Sequence, residues 1–256
     1  MSTNNVSKIN RLLQSFPEGT VMLSSWLVNQ GYSLGLLKRY RRSNWLESIG
    51  TGAMIRKGDK VNYEGAIFAL QNQAHLTIHP GGKTALGLLG KAHYLELSSK
   101  SITLFSAQDE KLPAWFEKYP WGYSFHLHRT SFLPSNVGLV ELEFRNFKML
   151  VSGPIRAMLE CLYLAPNYQS LLECYEIMEG LNNLRPNQVQ ELLESCNSVK
   201  VKRLFLYLAE RSGHDWVDHL QFEEIDLGSG KREIVKGGAY NSKYQITVDR
   251  ELEEKK

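Results

Sequence analysis

The 256-residue chain carries 30 Lys and Arg against 27 Asp and Glu, a formal charge of +3, with 43% apolar residues, and it has the length for two ordinary domains with a core each. No apolar run approaches the roughly 20 residues of a membrane helix, and the start at Met1, Ser2, Thr3 lacks the marks of a signal peptide, so the expected setting is the cytoplasm with no membrane contact. Cys161, Cys174 and Cys196, widely spaced inside helix-like segments, suit neither a disulfide framework nor a zinc site and are expected as buried thiols, with no metal or cofactor.

In residues 6–16, Val6, Ile9, Leu12, Leu13 and Phe16 recur at helical spacing, and Pro17 and Gly19 end this first helix. Ser24 is placed to cap a second, short helix with Trp26 and Leu27 facing inward, and Gly31 suits the left-handed residue that closes it. Ser33 then caps a third helix over residues 33–43. At about 100° per residue, Leu36, Leu37 and Tyr40 share one arc, while Lys38, Arg39 and Arg42 share the opposite one with Arg41 at its edge. Two short helices about a turn, the second basic on its outer face, have the form of a helix-turn-helix that reads duplex DNA.

Residues 45–49 and 53–56 read as two strands joined by Gly50, Thr51 and Gly52, the wing of a winged helix. Arg56 and Lys57 at its far end are expected to reach phosphates flanking the groove. The expected DNA-contacting residues are therefore Ser33, Lys38, Arg39, Arg41, Arg42, Thr51, Arg56 and Lys57. Charge follows the same division. Up to residue 60 the basic residues are Lys8, Arg11, Lys38, Arg39, Arg41, Arg42, Arg56, Lys57 and Lys60, against Glu18, Glu47 and Asp59. That leaves about +6 there and about −3 over the rest, so one part is suited to a polyanion and the other to something else.

Helices over residues 63–73 and 84–89 are expected to complete a first domain, 1–92. Strands over 93–97, 101–106 and 140–144, with a helix over 112–118 between them, open a second domain, 93–256. Helices follow from Pro154, over 171–178, 186–196 and 199–209, and the chain closes with a Gly-rich basic turn over 228–238 and a strand over 244–248. The fold class expected is α+β: an N-terminal winged helix-turn-helix followed by a mixed α/β C-terminal domain.

Several segments imitate catalytic motifs. Gly81, Gly82, Lys83 and Thr84 suggest a phosphate loop, but the spacing requires a further Gly where Thr77 stands. Gly228, Ser229, Gly230 and Lys231 fail the same motif because Arg232 follows the Lys; Lys231, Arg232, Lys236 and Lys243 are left as either a solvated face or an anion-contacting patch, the first three as the possible C-terminal basic patch. Glu141 and Glu143 alternate on a strand like a metal-holding acidic pair, without the further Asp and Lys of a nuclease. His126 and His128 share a strand face without a third ligand at suitable spacing. No catalytic residue is assigned. A metal-dependent nuclease acting on DNA and a ligand-sensing regulator stay open as alternatives.

The stretch Val21 to Leu27, with Gly31, Leu36, Leu37, Tyr40, Trp45, Leu46, Gly50, Gly52 and Ala53, then Tyr63 to Ala66 and Gly81 to Leu86 with Leu89 and Gly90, resembles the AbiEi antitoxins of bacterial AbiE abortive-infection systems. Ser152, Gly153, Pro154, Arg156, Ala157, Leu159 and Glu160, with Gly228 to Lys231, Lys236 to Gly238 and Tyr244 to Thr247, extend the likeness through the second half. The resemblance implies a type IV toxin-antitoxin protein that is not an enzyme. Its winged helix would repress its own operon at inverted repeats in promoter DNA, and its C-terminal domain would neutralise a nucleotidyltransferase toxin, directly or indirectly. The chain is not the toxin itself, because no Asp-x-Asp follows Gly228 and Ser229.

Overall fold

In the computed structural model, which describes residues 7–91 and 100–254, the chain opens with α1 (Lys8–Ser15), capped by the Ser7 hydroxyl accepting from Asn10 N at 3.3 Å. A two-residue strand β1 (Met22–Leu23) leads into α2 (Ser24–Asn29), α3 (Leu34–Arg42) and the hairpin β2 (Leu46–Gly50) and β3 (Ala53–Arg56). Gly31 takes φ +86° and closes α2 as expected. Ser24 is not the cap of α2: it is the first helical residue, and its backbone N–H donates to Gly52 O at 2.8 Å, so the hairpin turn supplies the acceptor. The three strands lie in the order β1-β3-β2, all antiparallel. A hairpin that follows the second helix of a pair and closes on a short strand before it is the connectivity expected of a winged helix.

Next come α4 (Tyr63–Asn72), β4 (His79–Pro80), α5 (Gly82–Leu88), β5 (Ser101–Ser106), α6 (Ala114–Lys118) and β6 (Ser124–Arg129), with β4, β5 and β6 forming one sheet. The hairpin β7 (Leu139–Glu143) and β8 (Lys148–Ser152) precedes four helices, α7 (Pro154–Leu164), α8 (Leu171–Glu179), α9 (Pro186–Ser195) and α10 (Val199–Arg211). After two 3₁₀ turns, β9 (Arg232–Glu233), β10 (Ala239–Asn241) and β11 (Ile246–Val248) make a small sheet before α11 (Arg250–Glu254). Helices and strands of both kinds in one chain give the expected α+β class. The strand expected over 93–97, and the division drawn at 92/93, lie outside the described residues.

Two cores hold these elements. The smaller gathers Leu12, Phe16, Leu27, Leu37, Tyr40 and Leu46 between the first three helices and the hairpin. The larger is built on Phe116, Leu159 and Phe205 and also takes in Ile67 and Leu70 of α4 and Leu86 of α5, so these two helices pack among the later elements. The sheet β1-β3 stands between the cores. Successive strand residues face opposite sides, so Met22 and Met54 enter the smaller core while Val21, Leu23, Ala53 and Ile55 enter the larger. A buried side-chain amide reinforces the junction: Gln73, just past α4, accepts from Leu23 N and donates to Val21 O, both at 2.7 Å, the two bonds that a neighbouring strand would make to β1. Gln71 does the same for β8, accepting from Leu150 N and donating to Leu150 O, both at 2.9 Å.

The apparent phosphate loop has an internal occupant. Glu160 of α7 is fully buried, and its carboxylate accepts from Gly82 N at 2.9 Å and from the Ser152 hydroxyl at 2.7 Å through one oxygen. The other oxygen meets Arg156 Nε at 2.9 Å and His79 Nε2 at 3.3 Å. Lys83 pairs with Glu173 at 2.7 Å and the Thr84 hydroxyl accepts from Thr103 N at 2.9 Å. Gly81 is required by this packing, since a Cβ there would stand 2.3 Å from a Glu160 oxygen. The three cysteines are free and buried as expected, and burial pushes the Cys161 thiol up to about 12.

Although burial alone would raise its pKa, the His79 contact, the Arg156 charge and the Ser152 hydroxyl hold the Glu160 carboxyl below its ordinary value of 4.5. Replacing one partner of such a buried cluster strands the others, so Glu160→Ala is expected to cost about 3–5 kcal/mol in urea unfolding at neutral pH. A depressed folded-state value means that the unfolded chain binds this proton first on acidification. The stabilisation is therefore complete above 4.5 and is lost as pH falls through the lower folded value. Wild-type stability should fall in that acid window, and Glu160→Ala should show a shallower fall.

Candidate nucleic-acid interface

Ser33 starts α3 by accepting from Leu36 N at 3.3 Å, so its hydroxyl acts as the helix cap. Leu37 and Tyr40 are buried and Leu36 half-buried, which fixes the rotation of the helix against the smaller core. Lys38, Arg39, Arg41 and Arg42 are then left exposed together. Among the described residues, none of these four side chains makes a hydrogen bond or an ion pair. Leu34, 67% exposed, and Gly35, with no atom within 4 Å of where a Cβ would stand, carry the open face on to the N-terminal end of α3. The result is a convex, unpaired cationic ridge presented on a packed base.

The hairpin is less free than the helix. Thr51 and Gly52 are exposed at its turn, but a Cβ on Gly50 would lie 2.7 Å from the Cβ of Trp115. The strand therefore runs directly against α6. Arg56, expected to reach outward, turns inward instead: its guanidinium donates to the carbonyls of Leu13 and Phe16 and pairs with Glu18 at 3.2 Å. These are unpaired carbonyls at the end of α1, so the charge serves as a helix C-terminal partner. Lys57 is exposed and pairs with Glu47 across the hairpin at 2.6 Å.

Comparison with known proteins agrees with this arrangement of elements. Residues 5–97 match the family model described as transcriptional regulator, AbiEi antitoxin N-terminal domain. Residues 99–249 match the one described as transcriptional regulator, AbiEi antitoxin, type IV TA system. The chain belongs to the AbiEi antitoxin family. It is thus a member of a family of transcriptional regulators and type IV antitoxins. No curated protein matches it. Among solved structures, the RV2827C protein from Mycobacterium tuberculosis is similar at TM-score 0.56 and 12% identity, covering 97% of this chain and 92% of that one, a likeness of fold.

In the second half of this AbiEi chain, Lys231, Arg232 and Lys236 are exposed, as a basic face requires. The residue that organises them is Arg203 of α10, which the sequence does not distinguish from any other helix arginine. It is buried at 2% exposure and donates to the carbonyls of Leu227 at 2.8 Å, Gly228 at 3.0 Å, Gly230 at 2.7 Å and Gln245 at 3.3 Å. The Gly228 to Lys231 segment is thus a loop wrapped on a guanidinium.

Of the other motif-like residues of this AbiEi chain, Glu141 and His128 have local partners. Glu141 and Glu143 are exposed on β7, with Glu141 paired to Lys148 at 3.3 Å. His128 lies between the rings of Phe105 and Tyr168, at 5.4 Å and 5.6 Å, and burial with the nearby His126 lowers its pKa. Among the described residues, no three His, Cys, Asp or Glu side chains cluster to hold a metal, and no helix is long and apolar enough to cross a membrane. A cleft of about 240 Å³ lies where the turn after α1 and the β7-β8 hairpin meet, lined by Glu18, Lys60, Glu64 and Arg145 together with Phe144 and Phe147.

The two hairpin cations should separate in unfolding experiments. Arg56→Ala leaves the carbonyls at the end of α1 without their donor and is expected to cost about 1.5–3 kcal/mol. Lys57→Ala breaks an exposed pair and should change stability by less than about 1 kcal/mol in the same urea titration.

Proposed function

We propose that this AbiEi-family protein represses its own operon by seating α3 in the major groove of inverted repeats in its promoter. The observation that carries this reading is the ridge of Lys38, Arg39, Arg41 and Arg42, exposed and, among the described residues, without partners, on a helix whose rotation is fixed from below. Four exposed cations gathered on one helix face repel one another, and phosphates on both sides of a groove would neutralise them. The N-terminal end of α3, with Leu34 and Gly35, lies where a recognition helix meets base edges. Thr51 at the exposed hairpin turn and Lys57, once released from Glu47, are the further phosphate contacts of this reading. Ser33 contributes through the cap and Arg56 through the seat of α1. The later elements, from β5 onward, neutralise a nucleotidyltransferase toxin.

Fluorescence-anisotropy titration with duplex DNA from upstream of the gene tests the DNA half. Arg39→Ala/Arg42→Ala should weaken binding by at least tenfold and reduce the slope of log affinity on log salt by about 2, one counterion for each lost phosphate contact. Unchanged affinity and slope would remove α3 from the interface. Co-expression with a nucleotidyltransferase encoded beside it tests the other half. The same double variant should still rescue growth, whereas loss of rescue with retained folding would place neutralisation on α3.

A further inference from the structure

The loop held by Arg203 has a second face. A trans peptide is planar, with its N–H directed away from its own C=O. Arg203 draws the carbonyls of Gly228 and Gly230 inward, so the N–H groups of Ser229 and Lys231, which belong to the same two peptides, point away from the guanidinium. The Gly230 N–H stands between them. Among the described residues, none of these three N–H groups has an acceptor, whereas the next in the chain, Arg232 N, donates to Gln245 O at 2.9 Å. Gly228 and Gly230 make the turn possible at φ +60° and +81°, conformations that a side chain disfavours. Consecutive outward N–H groups in such a turn form a concave nest that binds anions.

The surroundings match the nest. Lys231, Arg232 and Lys236 are exposed beside it, and the Arg203 guanidinium lies beneath. The Tyr240 ring is 44% exposed, and the Lys231 ammonium lies 5.0 Å from its centroid, so a cation and an aromatic surface border the loop together. One carboxylate reaches the loop already: Asp226 accepts from Gly228 N at 2.8 Å, while Glu233 is exposed one residue beyond Arg232.

We propose that the Gly228–Lys231 loop binds the phosphate of a nucleotide unit, held by the Ser229, Gly230 and Lys231 N–H groups, with the base against Tyr240. The shared chemistry is a phosphate next to a base, and it has two sources, a single nucleic-acid strand or a free nucleotide. The site is separate from α3 and does not depend on the promoter-binding reading. It gives the Gly-Ser-Gly-Lys sequence a use as a phosphate nest without the strand and helix of a nucleotide-hydrolysing loop.

The test uses the full chain carrying Arg39→Ala/Arg42→Ala, so that α3 contributes little. Fluorescein-labelled oligothymidylate is titrated by anisotropy, with AMP as competitor. The expected result is binding that Lys231→Gln/Arg232→Gln weakens at least tenfold, with a salt slope shallower by about 1.4, and that Tyr240→Ala also weakens, base stacking being worth roughly 1–3 kcal/mol per base. Displacement of the strand by AMP identifies a single nucleotide as sufficient; no displacement identifies the strand as the ligand. In a ¹⁵N-labelled sample, the amide protons of Ser229, Gly230 and Lys231 should move downfield on addition of the bound species. All three side chains changed here are exposed, so the fold is retained. Affinity and slope unchanged in Lys231→Gln/Arg232→Gln, no binding of either probe, or binding without movement of those amides would overturn the proposal.

Discussion

The larger core is organised about one buried charge. Glu160 has no access to water, and a carboxylate in that position is tolerable only if every lone pair meets a donor. The donors come from four places: His79 on β4, Gly82 at the start of α5, Ser152 at the end of β8 and Arg156 one turn earlier on α7. Arg156 in turn donates to the carbonyls of Pro134 and Val137, which ties in the segment before β7. Apolar packing alone would permit these elements to slide; a carboxylate with four directed partners permits one arrangement. It also settles the chemistry of the Gly81-Gly82 segment, because the N–H that would meet a phosphate already meets an anion.

From that fixed body α3 is positioned through the sheet β1-β3. A strand has two faces, and here both are covered, one by each core, so the first three helices share a wall with the larger core. Gln73 makes the shared wall specific: a side-chain amide that matches a peptide donor and acceptor secures β1 in register. Trp115 against Gly50 adds a steric contact at the hairpin.

Much of this was legible in the chain. The apolar arc of Leu36, Leu37 and Tyr40, the Ser33 cap, the Gly31 turn and the Gly-rich hairpin are local features, set by helical periodicity and by backbone angles that few residues adopt. The ridge on α3 follows from them, because the side of a helix opposite its apolar arc faces water. Arg56 could not be read the same way. Its neighbours in sequence place it on a strand beside Lys57, and nothing local shows that the end of α1, some 40 residues earlier, brings bare carbonyls beside it. Arg203 is the same case, one cation among several on a helix until the glycine loop folds over it.

The sequence by itself determined the α+β class, two short helices about the Gly31 turn with a basic outer face on the second, the buried thiols and the family, since each depends on patterns within a few turns of chain or on residues recurring in order. The tertiary structure alone decided which charges are spent inside. It assigned Glu160 to the Gly82 N–H, Arg56 to a helix end and Arg203 to a loop, and among the described residues it left Lys38, Arg39, Arg41 and Arg42 without partners. The physical reason is that a charge is free or used according to what lies within about 4 Å of it, and for these residues those neighbours come from distant parts of the chain.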